Sequence, residues 1–249
     1  MFPLFIFNLS GAHRKEDWPK AEFFDLSLLE GTSCYCDTPA QREISSLVKA
    51  RIAPETKALC LIDSGDYHYM TSLLCGRFEE AFSLILLDNH PDMQAPAFGE
   101  ILSCGGWVKN MLKKNPLLKK VLILGFDESL AEETEGFPGR VTALSRESSM
   151  ETMIDSIRNW SPEGKVYISI DKDVLSRQYA STGWSQGTMT IQDLEKLVKE
   201  ALGLFAERLC GMDICGALPE RHGGGDLDMS LNLKADKALV RLFCSAARK

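Results

Sequence analysis

Several things are scarce in this 249-residue chain, and each shortage excludes a class of protein. Basic residues are outnumbered, 28 Lys and Arg against 35 Asp and Glu, for a formal charge of -7. That balance argues against nucleic acid or an anionic membrane as the main partner. No apolar run approaches the roughly 20 residues that cross a bilayer. The first residues are apolar but lack a basic segment and a small-residue cleavage site, so they read as a first strand, over 2–8. The eight cysteines are scattered instead of framing a small secreted domain, and read as reduced cytosolic thiols. No internal repeat or linker divides the chain, so residues 1–249 are expected to form one domain.

Three apolar runs each end in residues that carry chemistry. Phe82–Leu87 leads into Asp88-Asn89-His90-Pro91-Asp92. Val166–Ile170 leads into Asp171-Lys172-Asp173, and Ala58–Ile62 leads through Gly65-Asp66-Tyr67 to His68. Short runs rich in branched residues read as buried strands. Ligands gather at the C-terminal edge of a parallel sheet. In an extended backbone, residues two apart point the same way, which puts Asp88, His90 and Asp92 on one side and Asp171 with Asp173. Four carboxylates in one place repel unless a cation joins them. Four Asp and two His suit a borderline or hard divalent ion such as manganese, with donors enough for two.

Asp-x-His-x-Asp followed far downstream by Ser-x-Asp-x-Asp, with a Gly-Asp-x-His segment before both, resembles the ureohydrolase (arginase, agmatinase, formimidoylglutamase) superfamily. The resemblance implies an arginase-like three-layer α/β/α sandwich with a mostly parallel central sheet. It also implies two Mn2+ ions activating a bridging water that attacks a linear, non-peptide C–N bond of amidine, guanidino or amide type. Carried over by position, His68, Asp88, Asp92 and Asp171 hold one ion, and Asp88, His90, Asp171 and Asp173 hold the other. Asp173 also serves as a proton acceptor. A small-molecule substrate is implied, and a homo-oligomer is compatible.

The chain departs from the family pattern in four places. Tyr67 is inserted before His68. Ser176 and Arg177 replace a family Asp-Pro. Ser103-Cys104-Gly105-Gly106-Trp107 lacks the usual His of a proton shuttle. Gly216 stands where the family has a Glu that grips guanidinium. The metal site looks kept and the substrate pocket rebuilt. Cys104, Trp107, Trp184 and Gln186 are the expected substrate-shaping residues, beside Gly216, and Glu220 and His222 are candidates to restore acid/base function. An alternative is a non-catalytic metal-binding protein on the same fold. A more remote one is a protein whose acidic edge binds a partner.

Elsewhere the pattern predicts helices over 39–50, 69–77, 150–160, 191–205 and 226–247, with Thr190 capping the fourth. Cys34 and Cys36 share a side if extended; two buried thiols are the plain expectation and a redox pair the sharper one. His13 reads as a surface-loop residue.

Overall fold

The computed structural model describes residues 2–96 and 99–246. Ala247, the last residue of the expected closing helix, lies outside them. Eight strands form one sheet: β1 (Leu4–Asn8), β2 (Glu22–Asp25), β4 (Ala58–Ile62), β5 (Phe82–Leu87), β7 (Leu118–Phe126), β8 (Val141–Ser145), β9 (Lys165–Asp171) and β10 (Leu209–Cys215). Their order is β2-β1-β4-β10-β9-β5-β7-β8, and the pairings are parallel throughout. A separate two-stranded ribbon, β3 (Tyr35–Cys36) with β6 (Leu102–Ser103), is antiparallel.

Helices cover both faces. On one side lie α1 (Thr38–Arg51), α2 (Met70–Cys75) and α3 (Trp107–Lys114), packing Ile44, Leu74 and Trp107 against Phe7, Leu86 and Tyr167. On the other lie α4 (Met150–Asn159), α5 (Ile191–Leu204) and α6 (Asp226–Ala246), packing Ile157, Leu197 and Leu239 against Leu61, Ile168 and Ile214. Tyr167 and Ile168 therefore face opposite cores, the period of two expected of a strand buried on both sides. The result is the expected three-layer α/β/α sandwich.

Caps fix the helix starts. Asp37 accepts the Ala40 amide at 2.8 Å, with Pro39 in the first turn, so Asp37 and not Thr38 is the cap. Thr190 accepts the Asp193 amide at 3.1 Å, capping the helix, and its hydroxyl donates to the Asp193 carboxylate at 2.7 Å. Two local expectations are corrected. His13 is buried, with Nε2 3.0 Å from the Ile62 carbonyl. Cys34 and Cys36 do not share a face, because Cys34 adopts φ +57° and leaves the extended run; Cys36 is wholly buried and Cys34 only partly.

Candidate metal centre

The central strands β4, β5 and β9 deliver the acidic cluster at their C-terminal ends. After β4 the chain makes a tight 3-10 turn, Gly65–Tyr67, and His68 follows before α2. The turn absorbs the extra residue: Tyr67 is buried in the apolar layer, and the His68 ring reaches the cluster. Its Nδ1 lies 2.9 Å from Asp92 Oδ2, 3.1 Å from Asp88 Oδ2 and 3.6 Å from Asp171 Oδ2. Its Nε2 meets Ser169 Oγ at 2.9 Å, and that hydroxyl donates to buried Asp213 at 2.6 Å. One ring nitrogen thus faces the carboxylates while the other is held from behind, the arrangement that orients metal-binding histidines.

His90 forms the other half. Its Nδ1 lies 2.8 Å from Asp173 Oδ2 and 3.6 Å from Asp88 Oδ1, and its Nε2 meets Ser185 Oγ at 2.8 Å. The convergence comes from turns and not from extended backbone, which corrects the spacing argument. Asp88 Oδ1 accepts the His90 amide at 2.7 Å and Asp171 Oδ1 accepts the Asp173 amide at 2.9 Å, each two residues on. Asp173 sits in a 3-10 turn, Lys172–Val174, and Asp92 adopts φ +51°. Lys172, between two of the Asp, turns away and donates from Nζ to buried Asp236 of α6 at 2.6 Å.

Donor atoms form two overlapping groups that could each hold a cation: His68, Asp88 and Asp92, and Asp88, His90 and Asp173. Asp88 belongs to both. Asp171 borders the first through its 3.6 Å approach to His68. Asp88 Oδ2 is buried and has the His68 ring 3.1 Å away, yet no well-aligned hydrogen bond reaches it. It is a buried oxygen left without a hydrogen bond, of the kind a cation satisfies. Without one, protons share the load. Burial, and then the Asp88 charge, push Asp92 up to about 7 and Asp171 up to about 6. Burial, Asp171 and Asp88 hold Asp173 well above the carboxylate range. Burial opposes a charged His90, but its bonds to Asp173 and Asp88 win and push it up to about 12. For His68 burial is likewise outweighed by Asp88 and Asp92, and its pKa is well raised. Asp88 goes the other way: burial is overcome by the two imidazoles, which hold it below the usual range. The cluster gathers four buried carboxylates and two imidazoles in one place.

A cavity of about 230 Å³ opens onto the cluster. It is lined by the six expected donor residues and by Cys34, Tyr35, Gly65, Gln94, Ser103, Cys104, Gly105 and Trp184. Among the described residues, no lysine or arginine lines it. Of the expected substrate-shaping residues, Cys104 and Trp184 are here. The Trp184 indole donates to Asp66 at 3.0 Å.

The others are placed differently. Trp107 is fully buried behind the cluster, and its Nε1 donates to Asp92 Oδ2, so it supports a metal donor and does not line the cavity. Gln186 donates twice to its own loop, to the Leu175 and Ala180 carbonyls at 3.0 Å each. Gly216 packs behind Asp171: a Cβ there would fall 2.0 Å from Asp171 Oδ1, and its φ is +84°. Glu220 is exposed. His222 approaches Asp66 at 3.5 Å, and the adjacent Arg221 donates to the Tyr67 hydroxyl. Neither Glu220 nor His222 lines the cavity, because the 3-10 turn Glu220–His222 rides on the surface over Asp66 and Tyr67. Sequence reasoning misses the Ser169–Asp213 support and the cavity wall at Tyr35, Gln94 and Ser103. The serine in Ser-x-Asp-x-Asp is the available signal for the first; nothing marks the wall.

The fold and site together define a class: a parallel α/β/α sandwich carrying two overlapping Asp/His donor groups at the strand ends. Residues 11–230 match the model of the Arginase family, and the chain belongs to that family. An uncharacterized protein of Thermotoga maritima is 28% identical over 165 residues, 66% of this chain and 60% of that one. The fold is shared with formimidoylglutamase from Bacillus subtilis (TM-score 0.69, 14% identity, covering 98% of this chain and 86% of that one). It is shared also with a hypothetical agmatinase from Burkholderia thailandensis (TM-score 0.67, 16% identity, 99% and 87%) and with proclavaminate amidino hydrolase from Streptomyces clavuligerus (0.66, 16%, 100% and 93%). Among the described residues, no helix is long and apolar enough to cross a membrane.

Proposed function

We propose that this chain is a hydrolase dependent on two divalent ions, manganese in the first instance, acting on a linear non-peptide C–N bond in a small amidine, guanidino or amide compound. The observation that carries the reading is Asp88, buried, shared between two donor groups and left with an orphaned oxygen. His68, Asp88, Asp92 and Asp171 would hold one ion and Asp88, His90, Asp171 and Asp173 the other. Ions so held supply Lewis acidity and an activated water at neutral pH.

The chain's own groups do the rest. Asp173, with Oδ2 2.8 Å from His90 Nδ1, would orient or accept the proton. Trp184 and Tyr35 wall the cavity, with Gln94 and Ser103 offering an amide and a hydroxyl. A wall without lysine or arginine suits a cationic or neutral group near the cluster and disfavours a carboxylate there. Apart from the expected donors, no carboxylate among the described residues lines the cavity to clasp a free guanidinium, so a guanidino group on a larger molecule, an amidine or an amide fits better. Agmatinase and amidino hydrolase among the structural neighbours support C–N chemistry of this kind.

A second reading, a metal-binding protein without turnover, is favoured by one observation. Cys104 stands where the family resemblance places a proton-shuttling His, and burial, with Asp92 next, pushes its thiol well up. The test is to load the protein with Mn2+, confirm the ions by elemental analysis, and screen amidines, guanidino compounds and amides for ammonia or urea release. Release that disappears in Asp88→Ala establishes the hydrolase. Two bound ions without release across the panel supports the binding protein, and no bound ions overturns both.

A further inference from the structure

The small ribbon at the cavity mouth sets two cysteines against each other. Its rungs pair Tyr35 with Ser103 and Cys36 with Leu102. One rung further, Cys34 stands opposite Cys104, and the Cys104 amide donates to the Cys34 carbonyl at 2.9 Å. Directly opposed residues of an antiparallel pair have Cα atoms about 4.5–5.5 Å apart. That lies inside the ~4.4–6.8 Å that a disulfide spans. The side chains interact as well: burial, and then Asp66, hold the Cys34 thiol above the usual range, and the Cys104 thiol acts on it in the other direction. Both residues line the cavity. The turned backbone of Cys34, at φ +57°, parts it from Cys36, which is wholly buried in the apolar layer.

We propose that Cys34 and Cys104 form a redox modification site, closing to an intrachain disulfide in the cavity wall when a peroxide reaches the mouth. The Cys34 sulfur, the more exposed of the two, attacks the O–O bond as its thiolate, a form that grows with pH because burial and Asp66 hold the thiol up; the bond breaks, Cys34 becomes a sulfenic acid and water leaves. The Cys104 sulfur then displaces the hydroxyl, the S–S bond forms, and a second water carries away the remaining thiol proton. Two thiols are oxidised by two electrons and one peroxide is reduced to two waters.

The bond would fasten the wall at a sensitive point. Cys104 opens the 3-10 turn Cys104–Gly106, which runs directly into Trp107 and so to the Asp92 carboxylate. Formation of the disulfide does not depend on the hydrolase reading; only its consequence for substrate entry rests on it.

The experiment is to treat the full, reduced chain with hydrogen peroxide and follow intact mass and a non-reducing peptide map. The expected result is a loss of two hydrogens, a linked peptide joining Cys34 to Cys104, and reversal by dithiothreitol, with the linked peptide absent from Cys104→Ser. A Cys34–Cys36 link, Cys34 carried on to sulfinic acid while Cys104 stays a free thiol, or no loss of hydrogens at all overturns the proposal. The wild-type map decides the matter even if Cys104→Ser fails to fold, and it reads the bond without reference to turnover.

Discussion

His68 Nδ1 stands 2.9 Å from Asp92 Oδ2, although these residues leave different strands and an additional residue, Tyr67, precedes the histidine. The contact follows from the 3-10 turn that tucks Tyr67 into the core. It makes His68 a full member of one donor group. Protein loaded with Mn2+ and dialysed should carry two ions per chain. His68→Ala should keep no more than one, and Asp88→Ala, which removes the shared donor, should keep none. Elemental analysis on folded protein checks this, and two ions retained in Asp88→Ala would refute the shared role.

Metal loading should strengthen as pH rises. His68 and His90 hold protons above their ordinary range, as do Asp92, Asp171 and Asp173. These protons must leave before the donors can bind. Raised values mean that the metal-free donors give up their protons at higher pH than usual, so binding releases protons and affinity grows with pH. Each proton released adds about tenfold in affinity per pH unit. Calorimetry from pH 6 to 8 in two buffers of different ionisation heat measures the release. Affinity flat over that range would count against it.

The support behind His68 can be tested apart from the donors. Ser169 bridges His68 Nε2 and Asp213 Oδ1 at 2.9 and 2.6 Å. Ser169→Ala frees the ring to turn, and such outer contacts carry about 10–100-fold in metal affinity. The expected outcome is that loss, with His90-side binding retained. Unchanged affinity for both ions would mean that packing against Trp107, 5.0 Å away between ring centroids, suffices to hold the ring.

Gly216→Ala should damage the protein twice. The new Cβ falls on Asp171 Oδ1 and 2.9 Å from the Lys172 amide, at a positive φ. Overpacking of this kind costs about 1–3 kcal/mol, and any relief comes by displacing Asp171. A lower urea midpoint together with weaker metal binding is expected. A variant matching wild type in both would show that the backbone relaxes freely there.

The strands that carry the donors are legible in the sequence because Ala58–Ile62, Phe82–Leu87 and Val166–Ile170 are short, strongly apolar runs that lead into acid or imidazole. Asp88, His90, Asp92, Asp171 and Asp173 stand where those runs stop. The pattern is silent about how they converge: hydrogen bonds from backbone amides to Asp88 and Asp171 bend the chain, and no periodicity reports a turn of that kind. The cavity wall is harder to read. Strands of two residues, such as Tyr35–Cys36 and Leu102–Ser103, carry no period at all, and their pairing joins segments far apart in the chain. Trp107 lies near Cys104 in sequence, which suggests the pocket, yet the start of α3 turns its indole behind Asp92. Gln186 and His222 carry suitable chemistry, but their loops spend it on other partners.

Lys172 lies between two donor residues and sends its ammonium through to Asp236 on the far layer. That pairing keeps a permanent positive charge away from a place built to gather it. If α6 were cut short of residue 236, the ammonium would be left buried without its counter-charge. A lone buried charge is strongly destabilising, so the closing helix, distant from the cavity, steadies the strand end that carries Asp171 and Asp173.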